Sequence, residues 1–248
     1  MKDLQQSILQ YRTQHGIGAI IPKAFLFDMD GTLYDSMPNH AGAWYRMITE
    51  QGIPATPEEF FLYEGSTGAD TINKIFRRTY GREATANEIE RMYARKAELF
   101  TTMPQPDVMP GARQLVDYVK SLPWHPAVVL VTGSGQGSLL DRLNTDFNGA
   151  FPLDMRVTAH NVTKGKPHPH PYLKGMELAA VNPWESIAIE NAPLGVESAR
   201  RSGAFTVAVT TGPVPAEAMT EAGAHIVYKS MEECAASFPA MIASLTEL

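Results

Sequence analysis

The 248-residue sequence predicts an α/β fold: a three-layer core, with a parallel sheet between two layers of helices, into which an all-helical segment is inserted. Two observations predict this fold. From about residue 104 onwards, short apolar runs typical of buried strands alternate with helical segments, as in a parallel sheet with helices on both faces. Between residues 36 and 103, no run is convincing as a strand. We therefore expect a core made of residues 1–35 and 104–248 and a helical cap made of residues 36–103.

The predicted elements follow one another along the chain. Apolar residues at helical spacing cover residues 3–14, and this arm is expected either to pack on the core or to fray. The first strand is the buried run 24–27. The inserted segment contains helices near residues 41–50, 69–80 and 87–100. A proline-rich segment, 103–111, returns the chain to the core. Further strands, with helices between them, are predicted at residues 127–131, 155–158, 186–189, 206–209 and 226–228.

Composition and charge argue against several classes of protein. The net charge of −6 gives no basic surface for nucleic acid. No apolar run approaches the roughly 18 residues needed to span a bilayer, and the N-terminus lacks the apolar stretch of a signal peptide. A single cysteine, Cys234, rules out an internal disulfide and fits a reducing compartment. We therefore expect a soluble, cytoplasmic monomer with no nucleic-acid or membrane partner.

The first strand ends at two aspartates, Asp28 and Asp30, and Gly31 then lets the backbone turn sharply. Two carboxylates this close repel each other, and one of them would bind a proton unless something neutralised the pair. A hard cation with oxygen ligands is the usual remedy. The alternative is an ordinary turn at the end of a strand, because Asp and Gly are common turn residues.

Polar residues also follow other predicted strands, namely Thr132-Gly133-Ser134, Lys166 (after a loop) and Glu190-Asn191. Taken singly, each has an ordinary explanation as a turn, a helix cap or a solvated lysine. The ligands of an open parallel sheet, however, bind outside the carboxyl ends of its strands, where all these groups would meet. Together they supply carboxylates for Mg²⁺, hydroxyl and amide donors and one cation. That set suits the transfer of a phosphoryl group.

The longer stretch Asp-Met-Asp-Gly-Thr-Leu, residues 28–33, directly follows the apolar strand and resembles the first motif of the haloacid dehalogenase superfamily. Most members of that superfamily are phosphatases and phosphotransferases. Thr132, Lys166 in Lys-Pro-x-Pro, and Glu190-Asn191 match the second, third and fourth motifs. The helical insertion resembles the cap of the β-phosphoglucomutase-like subfamily. The resemblance implies a Rossmann-like core and a mechanism through an aspartyl-phosphate.

The resemblance also implies a role for each matched residue. Asp28 would be the nucleophile, and Asp30 would act first as general acid and then as general base. Lys166 would pair with Asp28 and with the phosphate. The phosphoryl oxygens would be held by Thr132, Gly133 and Ser134, and His40 on the first cap helix would also bind the substrate. The cofactor would be Mg²⁺, held by the Asp28 side chain, the Asp30 backbone carbonyl, Glu190 and Asn191.

Two positions depart from the family pattern. The fourth motif usually ends in two acids, but Asn191 occupies the second position, so one negative charge is missing. In the specificity loop of the cap, Glu64 and Gly68 stand where sugar-phosphate mutases have a lysine and an arginine. A carboxylate at Glu64 would repel a phosphate unless a metal lay between them. The alternative for Glu64 is a solvated loop acid.

These departures favour a small, metal-complexed polyanion as substrate, so an inorganic pyrophosphatase is the first functional hypothesis. The main alternative is a β-phosphoglucomutase-like sugar phosphate mutase or phosphatase. A third hypothesis, from another class, is a catalytically silent binding module. The intact Asp28, Asp30, Thr132 and Lys166 argue against that one, because loss of activity usually removes the nucleophile.

Overall fold

The computed structural model describes residues 4–135 and 137–247. Within them, six parallel strands form a sheet in the order β3-β2-β1-β4-β5-β6. The strands are β1 Ala24–Phe27, β2 Ala127–Val131, β3 Arg156–Val157, β4 Ser186–Glu190, β5 Phe205–Val209 and β6 Ile226–Tyr228. Every predicted strand is present, and the predicted α/β fold is confirmed.

Helices cover both faces of the sheet. They are α1 Leu4–His15, α6 Ala112–Ser121, α7 Gly137–Asp146, α8 His170–Leu178, α9 Pro193–Ser202, α10 Ala216–Glu221 and α11 Met231–Thr246. Successive residues of a strand point to opposite faces. Phe25 of β1 therefore packs on Phe238 of α11, whereas Leu26 belongs to a second apolar cluster with Tyr172 and Met176 of α8.

The central strand, β1, determines where the site forms. Its last residue, Phe27, pairs with Leu130 of β2 on one side and with Ile189 of β4 on the other. The residues that follow these strand ends therefore emerge at one edge of the sheet. The chain also leaves β1 towards β2 and later returns to β4 on the opposite side, which makes this edge a topological switch point.

The inserted segment, which we call the cap, consists of α2 Met37–Glu50, α3 Glu59–Leu62, α4 Gly68–Tyr80 and α5 Ala86–Thr101. Its described residues include no strand, as predicted. Helix α2 begins at Met37, ahead of the predicted start at residue 41. Pro38 allows this because a proline in the first turn of a helix loses no hydrogen bond. The boundaries of cap and core at residues 35/36 and 103/104 stay predictions.

The N-terminal helix α1 packs on the core and does not fray. Ile8 and Tyr11 are buried, and the Tyr11 hydroxyl donates to the Gly203 carbonyl over 2.6 Å. The Tyr11 ring lies edge-on to Phe205 of β5. None of the helices in the described part of the chain is long and apolar enough to cross a membrane.

Two linkers join the cap to the core, and they run side by side. Tyr34 and Val108 form an antiparallel bridge, and the Asp35 N–H donates to the Asp107 carbonyl over 2.9 Å. Both connections therefore leave the core at one place as a short two-stranded ribbon.

Candidate active site

Lys166 lies at the centre of a buried charge cluster at the edge of the sheet. Its ammonium donates to Asp28 over 2.6 Å, to Glu190 over 2.5 Å and to the Val131 carbonyl over 3.1 Å. Asp28 follows β1 and Glu190 ends β4, so neighbouring strands supply the two carboxylates. Burial opposes the positive charge of Lys166, but the two carboxylates outweigh burial and raise its pKa.

Both oxygens of the Glu190 carboxylate are engaged in hydrogen bonds. The Tyr172 hydroxyl of α8 donates over 2.7 Å to the oxygen that Lys166 also contacts. The backbone N–H groups of Asn191 and Ala192 donate to the other oxygen over 3.1 and 3.3 Å. The structure thus holds Glu190 as a partner of Lys166, and its role as a metal ligand stays a prediction.

Asp30 is held by a chain of groups that reaches into the cap. Ser36 donates to its carboxylate over 2.6 Å, and His40 Nε2 lies 2.8 Å from the same oxygen. Lys96 of α5 lies 2.6 Å from the other ring nitrogen of His40. An ammonium can only donate, so His40 Nδ1 accepts from Lys96 and the proton on Nε2 is donated to Asp30.

These contacts set the charge of Asp30. Burial alone would raise its pKa, but His40 and Ser36 outweigh burial and lower the pKa to about 2. Burial and then the Lys96 charge lower the pKa of His40, while the hydrogen bond of a neutral His40 still stabilises the carboxylate. Asp30 is therefore in the form of a general base. To act as an acid it must gain a proton, which an approaching substrate anion favours.

The loop after β2 supplies hydroxyl and amide groups to the same edge. Thr132 is buried, and its hydroxyl accepts the backbone N–H of Ser134 over 2.9 Å. The next N–H along the loop, that of Gly135, donates to the Tyr93 hydroxyl of α5 over 3.2 Å. This loop thus begins directly after Val131, which Lys166 contacts, and it reaches the cap at Tyr93.

Glu64 reaches the core from the cap. Its carboxylate accepts a hydrogen bond from the side-chain amide of Asn191, and only 7% of its surface is exposed. Both side chains press against Gly31, where a Cβ would lie 1.9 Å from the Asn191 amide nitrogen. Gly31 also has a φ of 80°, so backbone and space both require glycine here. In this conformation Glu64 is not a solvated acid.

A small cavity lies between cap and core, about 50 Å³ in volume. A buried water needs about 10–15 Å³ of such space, so the cavity has room for a few water-sized groups. The core lines it with Asp28, Asp30, Thr132, Gly133 and Ser134. The cap lines it with polar and aromatic side chains, which include His40, Trp44, Phe60, Tyr63, Glu64, Tyr93 and Lys96. The structure is therefore a closed form, with the cap seated on the core.

Three carboxyl groups, those of Asp28, Asp30 and Glu64, line this cavity. Burial first, and then Glu190 and Asp30, raise the pKa of Asp28 to about 8 in spite of the neighbouring Lys166. Burial also raises the pKa of Glu64 well above its ordinary value, although the hydrogen bond from Asn191 opposes the rise. Asp28 must be a carboxylate to attack phosphorus, so further positive charge would favour its reactive form.

The donors at this edge fit a hard divalent cation such as Mg²⁺. Asp28, Asn191 and Glu64 supply oxygen atoms, the ligands that Mg²⁺ prefers. In the part of the chain that the structure describes, no three His, Cys, Asp or Glu side chains are grouped closely enough to hold a metal by themselves. The two observations agree, because Mg²⁺ usually takes one or two carboxylates and completes its shell with water and substrate phosphate.

The sequence reasoning missed Ser36, Tyr93, Lys96 and Tyr172. For Lys96 a signal was present, since it shares the buried face of α5 with Met92 and Leu99. A lysine at an apolar helical position needs a polar partner inside the protein. The loop at Glu64 has no basic residue, as the sequence indicates. Lys96 of α5, however, brings a basic side chain to the same cavity.

Comparison with known proteins agrees with this geometry. The family model for haloacid dehalogenase-like hydrolases matches residues 25–209, from β1 to the end of β5. The chain belongs to this family. The match of this HAD-like hydrolase includes the predicted motifs at Asp28, Thr132, Lys166 and Glu190.

Two relatives of the HAD-like hydrolase are phosphatases by name. Hexitol phosphatase A of Escherichia coli (strain K12) is 30% identical over 216 residues, which cover 85% of this chain and 92% of the relative. The phosphorylated carbohydrates phosphatase of Thermotoga maritima is 28% identical over 212 residues, which cover 85% of this chain and 95% of the relative. The predicted enzyme class, a HAD-type phosphatase, is confirmed.

Solved structures show the same architecture. A candidate β-phosphoglucomutase from Bacteroides vulgatus superposes with a TM-score of 0.94 at 40% identity, covering 98% of each chain. The β-phosphoglucomutase of Clostridium difficile superposes with a TM-score of 0.76 at 23% identity, covering 91% of this chain and 97% of that one. At that lower identity the likeness concerns the fold alone.

Proposed function

We propose that this HAD-like hydrolase is an Mg²⁺-dependent phosphohydrolase that forms an aspartyl-phosphate on Asp28. The observation that supports the proposal is the cavity that Asp28 and Asp30 share with the loop after β2, with the buried Lys166 bonded to Asp28. A nucleophile held by a cation, phosphoryl-oxygen donors and an acid–base group thereby meet around one cavity.

In the proposed reaction, Lys166 orients the Asp28 carboxylate while Thr132 and the neighbouring amides hold the phosphoryl oxygens. Asp28 attacks phosphorus, the bond to the leaving group breaks, and Asp30 gives the leaving oxygen a proton. Asp30 then takes a proton from the water that attacks the aspartyl-phosphate, and phosphate is released. Bound Mg²⁺, held by Asp28 and Asn191 with the other predicted ligands, would neutralise charge on the phosphoryl group.

A hydrolase is favoured over a mutase by Glu64. A mutase must hold a second phosphate on the cap side, and Lys or Arg binds phosphate well. Here a buried carboxylate, hydrogen-bonded to Asn191, occupies the cap side of the cavity. The cap cation in the cavity, Lys96, is already bonded to His40.

For the substrate, the relatives favour a small phosphorylated sugar or sugar alcohol. Their names describe phosphatases of a hexitol phosphate and of phosphorylated carbohydrates. This supports the alternative derived from the sequence, a sugar phosphatase, better than the first hypothesis of an inorganic pyrophosphatase.

Pyrophosphate remains a second candidate because the buried carboxylate of Glu64 lines the cap side of the cavity. Mg²⁺ bound to pyrophosphate would also bring positive charge to the Glu64 carboxylate, which otherwise repels an anion. A metal-bound pyrophosphate would therefore account for the Glu64 carboxylate without a hydrogen bond from a sugar hydroxyl.

Both candidates can be tested with Glu64→Gln, which keeps the shape of the side chain and removes its charge. The measurement is kcat/KM at fixed Mg²⁺ for pyrophosphate, a hexitol phosphate and β-glucose 1-phosphate. For pyrophosphate, we expect kcat/KM to fall because Mg²⁺-assisted binding weakens. For a sugar phosphate, we expect it to stay unchanged or rise because a repelling charge is gone. Glu90→Gln, an exposed acid of α5, is the matched control.

The outcomes separate the hypotheses. If the wild type hydrolyses sugar phosphates and not pyrophosphate, pyrophosphate is excluded as the substrate. Efficient conversion of β-glucose 1-phosphate into glucose 6-phosphate would favour a mutase. Release of phosphate from none of these substrates would contradict the proposed phosphohydrolase.

A further inference from the structure

Tyr172 of α8 is a buried polar side chain to which the proposed reaction gives no part. It has no exposed surface, and the described residues that line the cavity do not include it. Its hydroxyl lies 2.7 Å from Glu190 Oε1, and Lys166 Nζ lies 5.3 Å from the centre of its ring. Any effect of Tyr172 on the reaction must therefore pass through Glu190 and Lys166.

Two buried carboxylates, those of Asp28 and Glu190, compete for one cation. The Lys166 ammonium has three protons, and it donates to Asp28, to Glu190 and to the Val131 carbonyl. Its single positive charge is therefore shared between the two carboxylates. The more closely Glu190 draws the ammonium, the less firmly the same ammonium holds Asp28 for attack on phosphorus.

Other donors reduce the pull of Glu190 on Lys166. The backbone N–H groups of Asn191 and Ala192 donate to Glu190 Oε2. Tyr172 donates to Oε1, the oxygen that Lys166 also contacts. Hydrogen bonds stabilise a carboxylate as an anion, so it depends less on a neighbouring cation. Of these donors, Tyr172 is the one that shares an oxygen atom with Lys166.

The fold holds both partners of this hydrogen bond in place. A Cβ at Gly195, in the first turn of α9, would lie 2.0 Å from Glu190 Oε1. The carboxylate is thus packed against the helix backbone, at a position where a side chain would displace it. The Tyr172 ring belongs to the apolar cluster of Leu26 and Met176. The hydroxyl therefore has a fixed donor position and meets an acceptor that is fixed as well.

We infer that Tyr172 is a positioning residue for the nucleophile, because its hydroxyl occupies Glu190 and so leaves the Lys166 cation to hold Asp28. The inference rests on the proposed phosphohydrolase function. Without the hydroxyl, Glu190 would draw Lys166 towards itself, and Asp28 would be held less firmly for attack. The loss concerns the attacking group, whereas Asp30 serves the leaving group.

The decisive variant is Tyr172→Phe, which removes the hydroxyl and keeps the ring with its packing. Tyr11→Phe is the matched control, because Tyr11 also has no exposed surface and its hydroxyl donates over 2.6 Å to the Gly203 carbonyl, far from the cavity. The readout is kcat/KM at fixed Mg²⁺ for acetyl phosphate, pyrophosphate and a hexitol phosphate, whose leaving groups differ widely in basicity. Circular dichroism checks folding. Should Tyr172→Phe not fold, Tyr172→Met replaces it, since a flexible methionine fills the space and also lacks the hydroxyl.

We expect Tyr172→Phe to lower kcat/KM about tenfold for each substrate that the wild type hydrolyses, since small misplacements of a reacting group are costly. The factor should be the same for weakly and strongly basic leaving groups, because the nucleophile is displaced and the proton donor is not. Tyr11→Phe should leave kcat/KM unchanged. An unchanged value for Tyr172→Phe, or a loss that grows with the basicity of the leaving group, would overturn the inference.

A double-mutant cycle shows whether Tyr172 acts through Glu190. Glu190→Gln removes the charge that competes for Lys166, so the Tyr172 hydroxyl has little left to offset. We expect Tyr172→Phe to change kcat/KM far less in that background than in the wild type, as for two residues that act on one interaction. Two losses that simply multiply, as for independent sites, would contradict the inferred route through Glu190.

A further measurement does not depend on turnover. Beryllium fluoride binds a reactive aspartate as a mimic of its phosphorylated form, and ¹⁹F NMR in the presence of Mg²⁺ gives the dissociation constant of the Asp28 adduct. We expect a larger dissociation constant for Tyr172→Phe than for the wild type and Tyr11→Phe. A tyrosine needed only for folding would lower the amount of adduct at saturation without changing this constant.

The outcomes of this measurement separate the inference from the proposed function. Equal dissociation constants for all folded variants would show that Tyr172 does not position Asp28. If the wild type hydrolyses none of the substrates while Tyr172→Phe still weakens the adduct, the proposed function fails and the positioning role stands.

Discussion

At the scale of single residues, the charge balance of the site depends most on Asp28. Burial first, and then Glu190 and Asp30, raise its pKa in spite of the neighbouring Lys166, which disfavours the reactive carboxylate in the metal-free enzyme. A cation beside the carboxylate favours the anion and lowers its pKa. We therefore expect the acidic limb of the pH profile of kcat/KM to move to lower pH as Mg²⁺ is raised. A limb that stays in place at all Mg²⁺ concentrations would contradict this role of the metal.

Lys96 acts on the reaction through His40 and is in our view a positioning residue for Asp30. Burial and then the Lys96 charge lower the pKa of His40, so Lys96→Met should raise it. A protonated His40 would pair with the Asp30 carboxylate and oppose the protonation that the leaving group needs. We expect kcat to fall by about 10²-fold, the low end of acid–base effects, and by more for leaving groups of high pKa.

The control for Lys96→Met is Lys174→Met, a lysine of α8 that pairs with Glu177 on the surface. The pH profile is the diagnostic measurement, since a purely structural lysine would change stability without moving a titration. If Lys96→Met leaves both the profile and the dependence on the leaving group unchanged, Lys96 serves only packing.

Which site residues the sequence could predict depends on the element that supplies them. Asp28, Thr132 and Glu190 occur at strand ends, and a parallel sheet brings such ends to one edge whatever the packing of its helices. Lys96 and Tyr172 come from helix faces, and packing decides which face turns towards the site. Their roles could therefore be seen only in the folded chain.

At the scale of elements, the sequence predicts the presence of each strand more closely than its length. The sequence predicts a weaker strand at 155–158, of which only Arg156–Val157 forms. β3 is an edge strand that pairs with Leu130 and Val131, the last residues of β2, and a 3₁₀ turn at Leu153–Met155 precedes it. The turn before it and the end of β2 leave room for two paired residues. Helix α2 is instead longer than predicted. It begins at Met37 because Pro38 is tolerated in its first turn, which the spacing of apolar residues does not show.

Helix α1 is the element whose contribution the sequence left open. Tyr11 has no exposed surface and bonds the Gly203 carbonyl, far from the cavity. We expect Tyr11→Ala to lower the free energy of unfolding by about 3–5 kcal/mol, as for other buried aromatic residues, with kcat unchanged. Urea unfolding measures it, with Leu9→Ala as control, since Leu9 on the same helix is 66% exposed. Equal effects of the two variants would show that α1 is not part of the folded core.

At the scale of the whole molecule, the paired linkers make closure a single movement. Tyr34 bridges Val108 and the Asp35 N–H donates to the Asp107 carbonyl, so we expect the two linkers to bend together. The cavity lies between cap and core, and Glu64 of the cap contacts Asn191 of the core beside it. We therefore expect turnover to include an open form in which the cap has rotated about this ribbon and Glu64 has left Asn191.

Closure should follow ligand binding, because a phosphoryl group and Mg²⁺ relieve the repulsion among Asp28, Asp30 and Glu64 that opposes it. We expect the radius of gyration to fall when Mg²⁺ and aluminium fluoride are added together. Neither Mg²⁺ alone nor aluminium fluoride alone should lower it. Glu64→Gln should close more readily without ligand, since one of the repelling charges is gone. Scattering curves that are identical in all these conditions would mean that cap and core form one rigid body, and substrate would then have to enter without cap rotation.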